Sequence, residues 1–189
     1  MVLEYIPKLN LRKYKIEDIQ MLFKISYWCG LRIGEALKLD ASSFDFERNE
    51  VFLGKTKTEK QGYATIPPSF KTELAIWLMD KQGPLYPKLK YTNVYFWLVK
   101  MGKELNILAW IEKNKETGEM TKTHIFRKSV AKDFFYGIHG KEKAPITFCS
   151  QKLRHGGKNP IATTFAYLRL GNDDIKEFES RTLGDKYNG

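Results

Sequence analysis

Arg32, His124, Arg127, His155 and Tyr167 are the side chains whose type and setting allow chemistry in this sequence. Arg32 lies in Cys29-Gly30-Leu31-Arg32-Ile33-Gly34-Glu35-Ala36-Leu37, an otherwise apolar helical context. A guanidinium on a core-facing turn needs an anion or a buried carboxylate. Glu35 and Asp40 are the internal candidates for that carboxylate, and a bound anion is the functional alternative. His124 and Arg127 stand three apart, so on one helix they share a face and can address one anion. A solvated pair near a helix start is the plainer alternative. His155 follows Arg154 at the end of a predicted helix. Tyr167 sits within Ala162-Thr163-Thr164-Phe165-Ala166-Tyr167-Leu168, where a tyrosine is ordinarily a core residue with a satisfied hydroxyl. No single one of these positions is decisive.

The elements that must hold them follow from periodicity. Apolar residues recur at three-to-four spacing over Ile16–Leu39, which predicts two helices meeting near Gly30-Leu31. An initial strand or arm is expected up to about Lys15. Phe44-Asp45-Phe46 leads into a turn at Arg48-Asn49; Glu50–Leu53 and Tyr63–Ile66 read as strands, joined by a lysine-bearing hairpin over Gly54–Gly62. Pro67-Pro68 ends the last strand, and Ser69 is the expected cap of a helix through Leu78. Tyr91–Leu108 is predicted helical, and Trp110–Met120 a mobile polar loop. Thr121 or Thr123 would cap a helix from His124 to Tyr136, broken by Gly137–Lys143. Short helices are expected at Pro145–Arg154 and Ile161–Leu170, and a last one follows Asn172-Asp173-Asp174 through about Arg181. The expected fold class is α+β, mainly helical, with a small three-stranded antiparallel sheet and β-hairpin.

At 189 residues, with 42% apolar, 14% aromatic and 29% charged residues, the chain suits one folded domain. No run of 18 apolar residues is present, which excludes a membrane-spanning helix of ordinary length. The start Met1-Val2-Leu3-Glu4-Tyr5-Ile6-Pro7 lacks the pattern of a signal peptide, so a cytoplasmic, nucleoid-associated location is expected. Cys29 and Cys149 fit neither a disulfide scaffold nor a zinc site and are expected to be buried thiols. Thirty-two Lys and Arg against twenty-two Asp and Glu give a net charge of +10, which suits a nucleic-acid backbone as partner. The basic residues are spread along the chain, as for a charged face rather than a tail. A basic ribonucleoprotein component would carry similar charge.

Order and spacing together are more specific. The sequence resembles the catalytic domain of the tyrosine recombinase (phage integrase) family over nearly its whole length. Gly30-Leu31-Arg32-Ile33-Gly34-Glu35-Ala36-Leu37-Lys38-Leu39 resembles the first arginine box, with Arg32 at the first catalytic arginine and Glu35 at its supporting acid. Val51-Phe52-Leu53-Gly54-Lys55-Thr56-Lys57 resembles the β-hairpin that carries the catalytic lysine. Lys55 is the better match there and Lys57 the runner-up. Thr123-His124-Ile125-Phe126-Arg127-Lys128-Ser129 resembles the His-x-x-Arg box. Leu153-Arg154-His155 and Ala162–Tyr167 resemble the third, with His155 at the late histidine and Tyr167 at the nucleophile. Arg154 stands where a glycine usually precedes that histidine, Gly156–Pro160 widens the stretch to Tyr167, and Lys128 replaces a commoner histidine. A rival alignment takes Arg154-His155 as the second box and Tyr187 as nucleophile. It leaves His124 and Arg127 idle and sets Gln151 at the box histidine.

The resemblance implies site-specific recombination through a 3′-phosphotyrosyl intermediate, without metal, cofactor or ATP. Arg32 and Arg127 would clamp the non-bridging oxygens, Tyr167 would attack, and His124 would assist its proton transfer. His155 would donate a hydrogen bond to the transition state, and Lys55 would protonate the leaving 5′ oxygen. Lys57, Lys60, Lys128 and Lys158 would add DNA contacts. The implied partner is a double-stranded attachment site, held by a homotetramer across two synapsed duplexes, with a monomer or weak oligomer when free. Arg32 arrives after only 31 residues, so the expectation is a catalytic domain alone, lacking core-binding and arm-binding domains. Weak, strongly salt-dependent DNA binding would follow. A type IB topoisomerase-like relaxing enzyme and an inactive DNA-binding accessory domain are the rival readings. A nuclease using metal-bound water lacks a carboxylate cluster in the sequence.

Overall fold

The computed structural model describes residues 2–11, 13–55, 61–107, 124–138, 143–155 and 158–168. The expected loop at Trp110–Met120, the caps Thr121 and Thr123, the helix after Asn172, and Lys57, Lys60 and Tyr187 lie outside them. Two compact units divide the chain, Met1–Ala131 and Lys132–Gly189.

In the first unit, α1 (Val2–Tyr5) runs into a 3-10 turn over Ile6–Lys8, where a strand or arm was expected. The apolar run Val2–Ile6 is too short for its period to separate helix from strand, and Ile6 winds inward to complete burial. Next, α2 (Ile16–Trp28) carries Glu17 and Asp18 in its first turn, where the helix dipole favours acids. It buries Ile19, Met21, Leu22, Phe23 and Ile25, each removal from water contributing about 1.5–3 kcal/mol for the larger side chains. Its end is fixed by Gly30, at φ +64°. The Leu31 N–H reaches the Ser26 carbonyl at 3.0 Å and the Gly30 N–H that of Tyr27 at 3.1 Å. This is a Schellman turn, whose left-handed position glycine fills without a Cβ clash. The predicted division of Ile16–Leu39 is thus observed, with α3 (Ile33–Ala36) following at once.

A three-stranded antiparallel sheet follows in the order β1 (Phe44–Asp45), β2 (Glu50–Lys55), β3 (Gln61–Thr65). Asp45 Oδ1 accepts the N–H groups of Glu47 and Arg48, both at 2.9 Å, and closes the expected turn at Arg48-Asn49. Phe52 pairs with Tyr63, but Lys55 pairs with Gln61: three steps on β2 face two on β3. The extra residue is a β-bulge that coincides with Gly54 at φ +70°. It brings position 55 into the row of Phe52 and Tyr63, whereas strict alternation would place it in the row of buried Val51.

Then α4 (Pro68–Leu78) begins with Pro67 as its N-cap and Pro68 as its first residue. The proline pair supplies both the extended cap and the helical φ, so Ser69 lies inside the helix rather than capping it. Asp18 of α2 receives Trp77 Nε1 at 3.2 Å and Lys81 Nζ at 2.7 Å, tying the end of α4 to α2. The next helix, α5 (Tyr91–Glu104), ends in a Schellman turn with Asn106 at φ +52°. The Phe126 ring stacks on Phe23 of α2 with centroids 4.8 Å apart and planes at 17°, anchoring the start of α6 (Ile125–Phe135) in the core. Such a pair contributes about 0.5–1.5 kcal/mol beyond burial.

The second unit begins within α6, which stops at Gly137, φ +71°. It continues with α7 (Ile146–Lys152) and α8 (Pro160–Leu168), packed on each other. Phe134 meets Phe148 edge to face with centroids 5.4 Å apart, and Lys152 Nζ stands 5.8 Å from the Phe134 centroid. Both cysteines are buried thiols, as expected. Burial pushes the Cys149 thiol up to about 11, away from reactive thiolate chemistry. No helix among the described residues is long and apolar enough to cross a membrane.

Candidate active site

In the first unit the α2–α3 corner carries the first of the candidate residues. The Gly30 turn reverses the chain so that Arg32 becomes the residue before α3. Glu35, three residues on, accepts the Arg32 backbone N–H through Oε2 at 2.8 Å and Arg32 Nη1 through Oε1 at 2.8 Å. One carboxylate therefore satisfies a helix-start amide and orients the guanidinium that starts the same turn. The Arg32 side chain is 48% exposed, so it is not the core-facing group that its apolar neighbours suggested. Its pairing with Glu35 is the internal alternative named from the sequence; Asp40 instead receives Ser42 N–H and Oγ, both at 2.9 Å.

Arg127 contrasts with it. The Phe126–Phe23 stack seats the first turn of α6 against α2, and Arg127 is 0% exposed. Its Nη1 donates to the Gly30 carbonyl at 3.1 Å and lies 3.8 Å from Glu35 Oε2. The left-handed turn that ends α2 thus also supplies the oxygen that holds the second guanidinium. Two guanidiniums are drawn to one carboxylate, and Arg32 opens to solvent. That arrangement can receive an anion with fork geometry. A surface pair with His124 is not what forms. His124 is half-buried in the residue preceding α6, three positions before Arg127.

Lys55 ends β2, placed by the Gly54 bulge; its side chain, like those of Lys57 and Lys60, lies outside the described part. Lys128 is half-buried on α6. In the second unit, α7 closes in a Schellman turn: Arg154 N–H to Gln151 O at 2.9 Å and His155 N–H to Ser150 O at 3.0 Å. Arg154 occupies the left-handed position at φ +50°. The backbone there calls for glycine, which is the residue that the family resemblance led one to expect. His155 Nδ1 lies 2.8 Å from Oγ1 of buried Thr164 on α8. Position 167 is in the last turn of that helix, one turn beyond Thr164, and the Tyr167 side chain is outside the described part. Lys158 is exposed in the connector. Among the described residues, no three His, Cys, Asp or Glu side chains are grouped to hold a metal ion.

Three participants were not singled out from the sequence: the Gly30 carbonyl, Gly54 and Thr164. A glycine inside a strand pattern is a bulge signal, so Gly54 was readable. A carbonyl acceptor and a threonine within an apolar helix leave no comparable mark.

No family model matches the sequence, and no curated protein sequence matches it. Solved structures do. XerA recombinase superposes with a TM-score of 0.62 at 17% identity, over 96% of this chain and 61% of that one. The catalytic domain of bacteriophage HP1 integrase gives 0.55 at 19%, over 100% of this chain and 92% of that domain. XerH site-specific recombinase, bound to a palindromic difH substrate in a post-cleavage complex, gives 0.65 at 19%, over 95% and 49%. The chain has a tyrosine-recombinase-like fold. Its mainly helical α+β topology with a three-stranded antiparallel sheet is that of the tyrosine-recombinase catalytic domain, as expected from the sequence. At these identities the likeness is one of fold, and the chain spans 61% of XerA and 49% of XerH.

Proposed function

We propose that this tyrosine-recombinase-like domain cleaves and rejoins double-stranded DNA at specific sites through a 3′-phosphotyrosyl intermediate. The observation that carries the reading is the pair Arg32 and Arg127, drawn to one carboxylate in a recombinase-like fold with one guanidinium open to solvent. In-line attack on a phosphodiester builds charge on the non-bridging oxygens, and guanidinium forks neutralise it without losing a proton. In this mechanism the Tyr167 oxygen forms a bond to phosphorus and the bond to the 5′ oxygen breaks. The tyrosine proton passes toward His124, and Lys55 gives a proton to the leaving oxygen. His155 hydrogen-bonds the phosphate in the transition state. The phosphotyrosyl ester retains the energy of the diester, so a 5′-hydroxyl strand can reverse the step without ATP.

The net charge of +10 supports DNA as the partner. Recombination between two duplexes would require four copies in a synapse. The test is a suicide DNA substrate, whose cleavage traps the covalent adduct. Wild-type protein is expected to form it and Tyr167→Phe to abolish it. An adduct that persists in Tyr167→Phe but disappears in Tyr187→Phe assigns the nucleophile to the rival alignment. Supercoil relaxation without two-site recombination would move the assignment to a topoisomerase.

A further inference from the structure

We propose that Thr164 is a positioning residue that fixes His155 as its Nδ1–H tautomer, so that Nε2 accepts a proton in the neutral ring and donates only as imidazolium. The hydrogen-bond inventory around one hydroxyl forces this. Thr164 Oγ1 lies 2.8 Å from the Pro160 carbonyl oxygen and 2.8 Å from His155 Nδ1. A threonine hydroxyl owns one proton, and a carbonyl can only accept. The hydroxyl therefore donates to Pro160, since two oxygens at that distance with no proton between them repel. Its lone pairs then face Nδ1, which must bring the second proton. Thr164 is 0% exposed, so solvent does not supply a substitute.

The rest of the fold holds this arrangement in place. The His155 backbone is tied to the end of α7 through Ser150 O at 3.0 Å, while its ring is tied to α8 through Thr164. Positions 164 and 167 are one turn apart on α8, so the ring is docked on the side of the helix that carries the proposed nucleophile position. The ionisable residues of α7 and α8 are Cys149, Lys152 and Tyr167, with Arg154 and Lys158 in the segments that join them. From residue 143 to residue 168 the sequence contains no Asp or Glu, so those two helices and their connector offer the imidazolium no carboxylate.

The catalytic consequence rests on the recombinase reading proposed above; the tautomer does not. A hydrogen bond from His155 to a phosphate oxygen must come from Nε2, and in this tautomer that nitrogen carries a proton only when the ring is charged. Cleavage should then fall roughly tenfold per pH unit above the ring's titration.

Two measurements on the full chain test this. Long-range proton–nitrogen correlation on protein labelled with nitrogen-15 histidine reads the neutral tautomer, with His155 assigned by its loss in His155→Gln. The wild type and Thr164→Ser are expected to carry the proton on Nδ1. Thr164→Val, of similar shape but without an acceptor, should shift it to Nε2. A neutral wild-type ring protonated on Nε2, or a Thr164→Val ring unchanged from wild type, overturns the proposal. Suicide-substrate cleavage is then followed from mildly acidic to mildly alkaline pH. Thr164→Ser should track the wild-type decline and Thr164→Val should lose it, because its neutral ring can donate from Nε2. A decline that survives in Thr164→Val overturns the link between tautomer and cleavage. If the wild type forms no adduct at any pH while Nδ1 is protonated, the recombinase reading fails and the tautomer assignment stands.

Discussion

Two turns, one in each unit, use the same backbone device with different residues. At the end of α2 the left-handed position is Gly30, and the turn delivers Arg32; at the end of α7 it is Arg154, and the turn delivers His155. Both close with the same pair of backbone hydrogen bonds, all between 2.9 and 3.1 Å. Hydrogen bonding therefore specifies the turn, and the side chain sets its energetic cost. Glycine occupies that region without strain, whereas an L-residue with a Cβ loses about 1–2 kcal/mol there. The first turn also lends the Gly30 carbonyl to Arg127, so a structural turn doubles as a scaffold for charge.

That contrast can be broken from its strongest link downward. Arg127→Ala removes a buried guanidinium that bridges the Gly30 carbonyl and Glu35, and should cost about 3–5 kcal/mol in denaturant unfolding. A loss below about 1 kcal/mol would mean that the turn and α6 are energetically independent. Gly30→Ala keeps every hydrogen bond but puts a Cβ in the left-handed position, and should cost about 1–2 kcal/mol. Arg154→Gly makes the reverse change and should raise stability by about 0.5–1 kcal/mol, the relieved strain exceeding glycine's extra unfolded-state entropy. A fall in stability instead would show that the Arg154 side chain outweighs the strain of its backbone.

The same pair of turns explains what could be read in advance. Gly30 announces a helix end because glycine is the default residue at positive φ, and the split of Ile16–Leu39 was legible for that reason. Arg154 carries no such mark: the sequence places a helix end there, but not the left-handed residue that closes it. Arg32 and Arg127 could be picked out by spacing, but not which one is buried. An arginine on an amphipathic helix reads as a surface residue, and only the Phe126–Phe23 stack decides otherwise. The α1 segment carries no helical signature in the sequence because four residues cannot display a period. Thr164 leaves no mark in the sequence because its partner is nine residues away and its role depends on which group owns a proton.

The Gly54 bulge has a consequence for comparing this chain with others. One surplus residue in β2 puts everything after Phe52 out of phase with the sequence before it. Counting from the buried Val51, a gapless strand would need its lysine at position 54 to reach the row that Lys55 occupies. Relatives with and without the surplus residue would thus hold equivalent lysines at spacings that differ by one. Matching them by column would pair a lysine in one row with a residue in the other, and an insertion of one residue would be the correct alignment rather than a defect in it.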